Sequence, residues 1–206
     1  MRTAFIVTSV LLAGSAAVAA SAAGATYPVV ESKSSVRIHV GKSGALSFAG
    51  HGHEVQAPVA GTVTADPANI SGSRVDLTFA SESLRVLADG EPSGDAPKVE
   101  EVMHGPEVLD TPRFPKIHFQ SKRVAGQASS SGSYDLSVVG DLSLHGVTQE
   151  ITVPVKVTLD GRTLTAVGQA ILRHDQFGMK PVSAGGGTVK VSNKIEIEFT
   201  IVAVQK

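Results

Sequence analysis

The sequence predicts an all-β protein, an extended antiparallel barrel of about eight strands with one short helical insertion. Three observations carry this reading. Apolar and polar residues alternate at period two in one segment after another, short Gly- and Asp-containing turns separate the segments, and a single stretch departs from the alternation. The strands are long, and closure removes the edges that an open sheet of such strands would expose.

Taken in chain order, the first element is a leader. Arg2 precedes an apolar run from Ala4 to Leu12 and a tail of small residues, the pattern of a secretory signal peptide, and cleavage is expected after Ala25. Residues 26–206 then have the size of one domain, expected in the periplasm or outside the cell without stable membrane insertion. In "SVRIHV" the apolar face is Val36, Ile38 and Val40, and in "RVDLTFA" it is Val75, Leu77 and Phe79.

From Asp95 to Pro115 the rhythm changes. Asp95 stands where a helix is capped, Pro97 falls in the first turn, and Val99, Val102 and Met103 form a helical stripe. Gly105 and Pro106 then divide the stretch into two short helical turns. Alternation resumes with Ile117 and Phe119, and again with Ile151, Val153, Val155, Val157 and Leu159. Asp160-Gly161 marks a hairpin. The last strand sets Val189, Val191, Ile195, Ile197, Phe199 and Ile201 against Lys190, Lys194, Glu196, Glu198 and Thr200, so one face is wet.

Composition narrows the function. The chain has 0 Cys, so its core stabilises the fold without disulfides even in an oxidising compartment. Net charge is −1 with both signs spread along the chain, and aromatic residues make up 4%. Neither an electrostatic footprint nor a stacking surface for nucleic acid is present.

"FAGHGHEVQAP" is the one stretch that suggests a metal. His51 and His53 at i and i+2 share a strand face about 7 Å apart, whereas Glu54 points the other way, which defeats a cupin-like His-x-His plus Glu arrangement. Counted from Leu46 and Phe48, both histidines face outward unless a bulge at Gly50 or Gly52 turns them. A zinc site needs a third ligand, for which His39, His104, His118, His145 and His174 are the candidates. There is no G-x-S-x-G, S-x-x-K, H-E-x-x-H or phosphate-cradling loop, so no enzyme class and no cofactor is expected.

Three blocks carry a wider resemblance: "FPKIHFQSKRV" after "EVLDT", "VVGDLSLHGVTQEITVPVKV", and "AILRHDQFGM" before the final strand. Together they resemble the YceI-like proteins, exported bacterial proteins described as polyisoprenoid-binding, from about Val30 to Ala203. The resemblance implies a lipocalin-like barrel around an apolar tunnel that holds a long-chain isoprenoid or similar lipid. Inward parity would line it with Val36, Ile38, Val40, Leu77, Phe79, Ile117, Phe119, Leu142, Leu144, Val153, Val155, Ile195, Ile197 and Phe199, with Phe177 from the "FG" motif. Arg173, His145 and His174 are the candidates for a head-group or rim site, Arg173 because guanidinium suits a phosphate. Two other readings stand beside it: a metal-binding barrel using His51 and His53, and a structural or stress-associated barrel filled by its own side chains. The sequence leaves the oligomeric state open.

Overall fold

Every strand pairing among the described residues is antiparallel, and short turns join the consecutive pairs β7–β8, β8–β9 and β9–β10. The computed structural model describes residues 24–43, 52–89, 91–184 and 189–206. In chain order the strands are β1 (Ala25–Pro28), β2 (Ser35–Ser43), β3 (His53–Gln56), β4 (Ala60–Ala65), β5 (Arg74–Ala80) and β6 (Arg85–Val86). The helix α1 (Ala96–His104) follows, then β7 (Lys116–Ser130), β8 (Ser133–Leu144), β9 (Val147–Asp160), β10 (Thr163–Arg173), β11 (Ser183–Ala184) and β12 (Val189–Val204). The stretch read as a leader lies outside the described residues as far as residue 23.

Eleven strands form one curled path, β1-β4-β5-β7-β8-β9-β10-β12-β2-β3-β6, and β11 adds to β12. This corrects the expectation of about eight strands in a closed barrel. Eight strands do run six residues or longer; β1, β3, β6 and β11, of four residues or fewer, are too short to show a period. The sheet is a half-barrel whose edges are β1 and β6. Beyond β1 a corner stands in for a ladder: Val29 bridges Ala203, and the Val30 amide donates to the Val202 carbonyl at 2.8 Å.

The insertion forms one helix rather than two. Pro97 sits in its first turn, but the Asp95 side chain does not cap it; its carboxylate takes Lys98 Nζ at 3.1 Å instead. Val99 and Met103, four residues apart, pack on the core, while Val102 stays exposed. The β9–β10 hairpin closes with Asp160 opposite Thr163, so Gly161 and Arg162 occupy its turn, with Gly161 supplying the positive φ of 54°.

The inner face of the curled sheet gathers the main apolar cluster, in which Val59, Val124, Leu172 and Phe177 are among the most deeply buried side chains. A smaller cluster of Tyr27, Val63, Ala65, Leu164 and Ala203 seals the end where β1 meets β12. At the opposite end the segment after α1 folds across the sheet. There the Lys180 amide donates to the Glu107 carbonyl at 2.7 Å, and Leu109 is buried.

Candidate functional site

The inner faces of the strands do not fill the space they enclose. An apolar cavity of about 270 Å³ runs along the inside of the sheet. On β10 alone its wall extends from Leu164 to Leu172, eight residue steps, or roughly 26 Å at the rise of a strand. A small volume over such a length describes a slender slot, the shape of a single hydrocarbon chain rather than a ring system. Its volume falls just below the roughly 300–1,000 Å³ of pockets for drug-sized ligands.

The wall is Val, Ile, Leu, Phe, Ala and Met almost throughout; Ser73 and His174 are its polar members, and no Asp, Glu, Lys or Arg among the described residues lines it. Every residue expected on the tunnel wall lies there except Phe177. Parity finds them because β2, β5, β9 and β12 alternate regularly where they face the cavity. The bulge in β12 between Val191 and Ile195 shifts the register by two residues and so preserves parity.

Phe177 is a correction. Its side chain is fully buried but outside the cavity wall. It sits on the 3-10 turn His174–Phe177, where no strand period applies. The β9–β10 ladder ends at Val155 opposite Gly168, although β10 continues to Arg173 along β12. The turn fills the opening between them: the Gln176 carbonyl accepts Gln149 Nε2 at 3.0 Å, and the Phe177 carbonyl accepts His145 Nδ1 at 3.1 Å. Phe177 is thus a wedge in a seam.

The three head-group candidates separate. Arg173 is more than half exposed and outside the cavity wall, and its guanidinium pairs with Asp175 at 3.3 Å, which raises the pKa of the arginine and lowers that of the carboxylate. His145 belongs to a turn: with φ of 51° there and 75° at Gly146, Leu144 and Val147 close a two-residue hairpin of type I′. Its ring stacks edge-on against Phe114, with centroids 5.1 Å apart.

His174 alone of the three lines the cavity. It is 5% exposed, and Nδ1 donates to the Asn193 carbonyl at 3.2 Å. Burial lowers its pKa, outweighing the carbonyls of Asn193 and Ser192 and the charge of Asp175 that act in the opposite sense. The Asn193 side chain fixes the turn by donating Nδ2 to Asp175 at 2.7 Å while its Oδ1 accepts the Asp175 amide at 3.1 Å.

Above the ordinary value of 6.5 neither folded nor unfolded chain protonates this ring, so its contribution is pH-independent there. As pH falls below 6.5 the unfolded chain takes up a proton first, and stability drops by at most about 1.4 kcal/mol per pH unit until the lowered folded value is passed. Urea unfolding of wild type and His174→Gln between pH 7.5 and 5 should show the difference between them moving against wild type in acid. A constant difference would mean that the buried ring is not held neutral.

The histidine pair also resolves differently from its parity. His53 opens β3 opposite Val40, with Val55 opposite Ile38, so it shares the inward face rather than the outward one. The outward count from Leu46 and Phe48 runs through Gly52, which lies outside any strand, so alternation does not carry across it. Glu54 does take the other face, where it accepts His39 Nδ1 at 2.6 Å. His53 Nδ1 donates to Glu91, at 2.7 Å, whose side chain is almost completely buried. His51 and Gly50 lie outside the described residues. Of the other histidines, His118 pairs with Asp76 and His104 with the Leu84 carbonyl. Among the described residues no group of three or more His, Cys, Asp or Glu is placed to hold a metal ion.

Sequence reasoning missed part of the wall. Leu136, Val138, Leu164 and Leu172 follow the same alternation in β8 and β10 and were findable by it. Met103, Val108, Leu109 and Met179, which line the end near His174, come from the helix and irregular segments, where no period marks the inward side.

A family model described as YceI-like domain matches residues 27–203. No curated protein matches the sequence. Among solved structures, the crystal structure of BcnA from Burkholderia cenocepacia is 23% identical, covers 85% of this chain and 99% of that one, and superposes with a TM-score of 0.65. A polyisoprenoid binding domain from Saccharophagus degradans, implicated in plant cell wall breakdown, is 11% identical over 87% of this chain and 98% of that one, with a TM-score of 0.62. The YceI protein of Campylobacter jejuni is 14% identical over 72% and 81%, with a TM-score of 0.54.

Proposed function

The chain belongs to the YceI-like family, and from that premise we propose that it is an exported lipid-binding protein holding one isoprenoid-like or similar long-chain amphipathic lipid in its apolar slot. The observation that carries this is the wall itself: about 270 Å³ of space enclosed by aliphatic and aromatic side chains, with Ser73 and His174 its polar members. Unfilled apolar space forfeits packing contacts and offers water no hydrogen-bond partners, whereas a hydrocarbon chain restores the contacts. The description of the Saccharophagus degradans domain as polyisoprenoid-binding supports the same ligand class.

Binding by burial is supported by the wall's composition: among the described residues its polar side chains are those of His174, whose pKa burial lowers, and Ser73. The export part rests on Arg2, the Ala4–Leu12 apolar run and the small residues before Thr26. Among the described residues no helix is long and apolar enough to cross a membrane.

Protein purified from its native host and extracted with organic solvent should yield a lipid near one per chain by mass spectrometry. An empty protein that also refuses a polyprenyl or fatty-acyl probe would overturn the proposal.

A further inference from the structure

A β-sheet wall opens at least cost where neighbouring strands have already stopped pairing, because no ladder hydrogen bonds have to break there. β9 stays paired with β8 as far as Val147, and β10 with β12 as far as Arg173, yet the pairing of β9 with β10 stops at Val155–Gly168. The slot lies directly behind the parted lengths: Ile151 and Val153 on β9 and Ala170 and Leu172 on β10 line it. On the outside of the same stretch Ile171 is 65% exposed, so a large apolar side chain stands in water beside the gap.

The turn His174–Phe177 that spans this gap is attached unequally on its two sides. On one side it continues β10, and Asp175 is held by Arg173 and by Asn193 of β12. On the other, its carbonyls take side-chain donors from the β8–β9 hairpin, Gln149 to Gln176 and His145 to Phe177. Gly178 ends the turn in the left-handed region, with φ of 69°. The Phe177 ring is fully buried but outside the slot wall. Swinging the turn away from β9 gives up these side-chain hydrogen bonds and unseats one ring. Parting β8 from β9 instead would break a ladder that runs from Ser133–Thr158 to Leu144–Val147.

Resting on the lipid-binding reading, we propose that the gap between β9 and β10 is the portal through which a hydrocarbon chain enters and leaves the slot. The turn His174–Phe177 is its door, hinged on the β10 side and latched to β9; Phe177 is the plug, and Ile171 is the first apolar contact for an arriving chain. Because Phe177 lies outside the slot wall, the portal sets the rates of entry and exit rather than the affinity.

The chain has 0 Cys, so Gln149→Cys/Gln176→Cys introduces its only thiols, and a short bismaleimide between them pins the turn to β9. Tritiated farnesol is mixed with lipid-stripped protein, and free lipid is removed at timed intervals. The bridged protein should take farnesol up roughly tenfold or more slowly than the same variant capped with N-ethylmaleimide, with equilibrium affinities within about twofold of each other. Phe177→Ala should speed uptake and release together, by a similar factor. Should that variant fold poorly, the comparison of bridged with capped protein decides alone. Uptake that bridging does not slow, or a folded Phe177→Ala that loses affinity at an unchanged uptake rate, overturns the portal while leaving lipid binding intact. A wild-type protein that takes up no farnesol overturns both.

Discussion

Phe177→Ala is expected to cost about 3–5 kcal/mol, which for a domain of this size lowers the melting midpoint by roughly 6–20 °C. The side chain is fully buried, and among the largest residues buried to that degree it comes first. It stands where β9 and β10 part, beyond the Val155–Gly168 pair, so truncation removes more than contact area. It opens the seam between two strands whose backbones no longer pair with each other there. The polar contacts around it, Gln149 to the Gln176 carbonyl and His145 to the Phe177 carbonyl, remain as anchors for the turn. The turn should therefore stay attached while the wedge is lost. Thermal unfolding of the purified variant measures the effect. A midpoint within two or three degrees of wild type would show that the seam is held by the turn's hydrogen bonds rather than by the ring. Phe177→Leu, which retains most of the apolar volume, should recover more than half of the loss.

How far the sequence speaks to this fold depends on whether a residue sits on a regular strand. Val36, Ile38 and Val40 on β2, or Ile195, Ile197 and Phe199 on β12, could be assigned inward because alternation relates each to the next, and all reach the cavity. The same arithmetic puts His53 outward only if alternation holds through Gly52, and Gly52 belongs to no strand, so His53 takes the inward face opposite Val40. It could not place Phe177 at all, because a 3-10 turn has a period of three and its inward side is set by tertiary packing. Three of the four short strands, β1, β6 and β11, are not legible for a related reason: two to four residues hold too little of a period to be told from a loop. Chemistry was legible only as residue type. Arg173 and His174 are neighbours in sequence and equal candidates on composition, yet one step along the chain separates an exposed ion pair from a buried ring in the cavity wall.

Filling the slot should separate binding from folding. In Ala170→Phe, farnesol affinity is expected to fall by tenfold or more, while the melting midpoint moves by no more than a few degrees. Ala170 lines the cavity from β10, opposite Ile197 on β12, so an aromatic ring built there enters space that is empty and apolar. Placed in a cavity of about 270 Å³, the ring takes the room a chain would use and gains contacts of its own. Ala203→Phe is the counterpart. Ala203 has no exposed surface and lies in the tight cluster with Tyr27, Val63 and Leu164, so the same substitution overpacks and should cost at least about 1–3 kcal/mol. The two variants add the same atoms at two alanines of the same sheet, and only the presence of a vacant slot distinguishes their outcomes. Undiminished farnesol binding by a well-folded Ala170→Phe would move the ligand off this wall, and equal destabilisation by both would mean that the space beside Ala170 closes in solution.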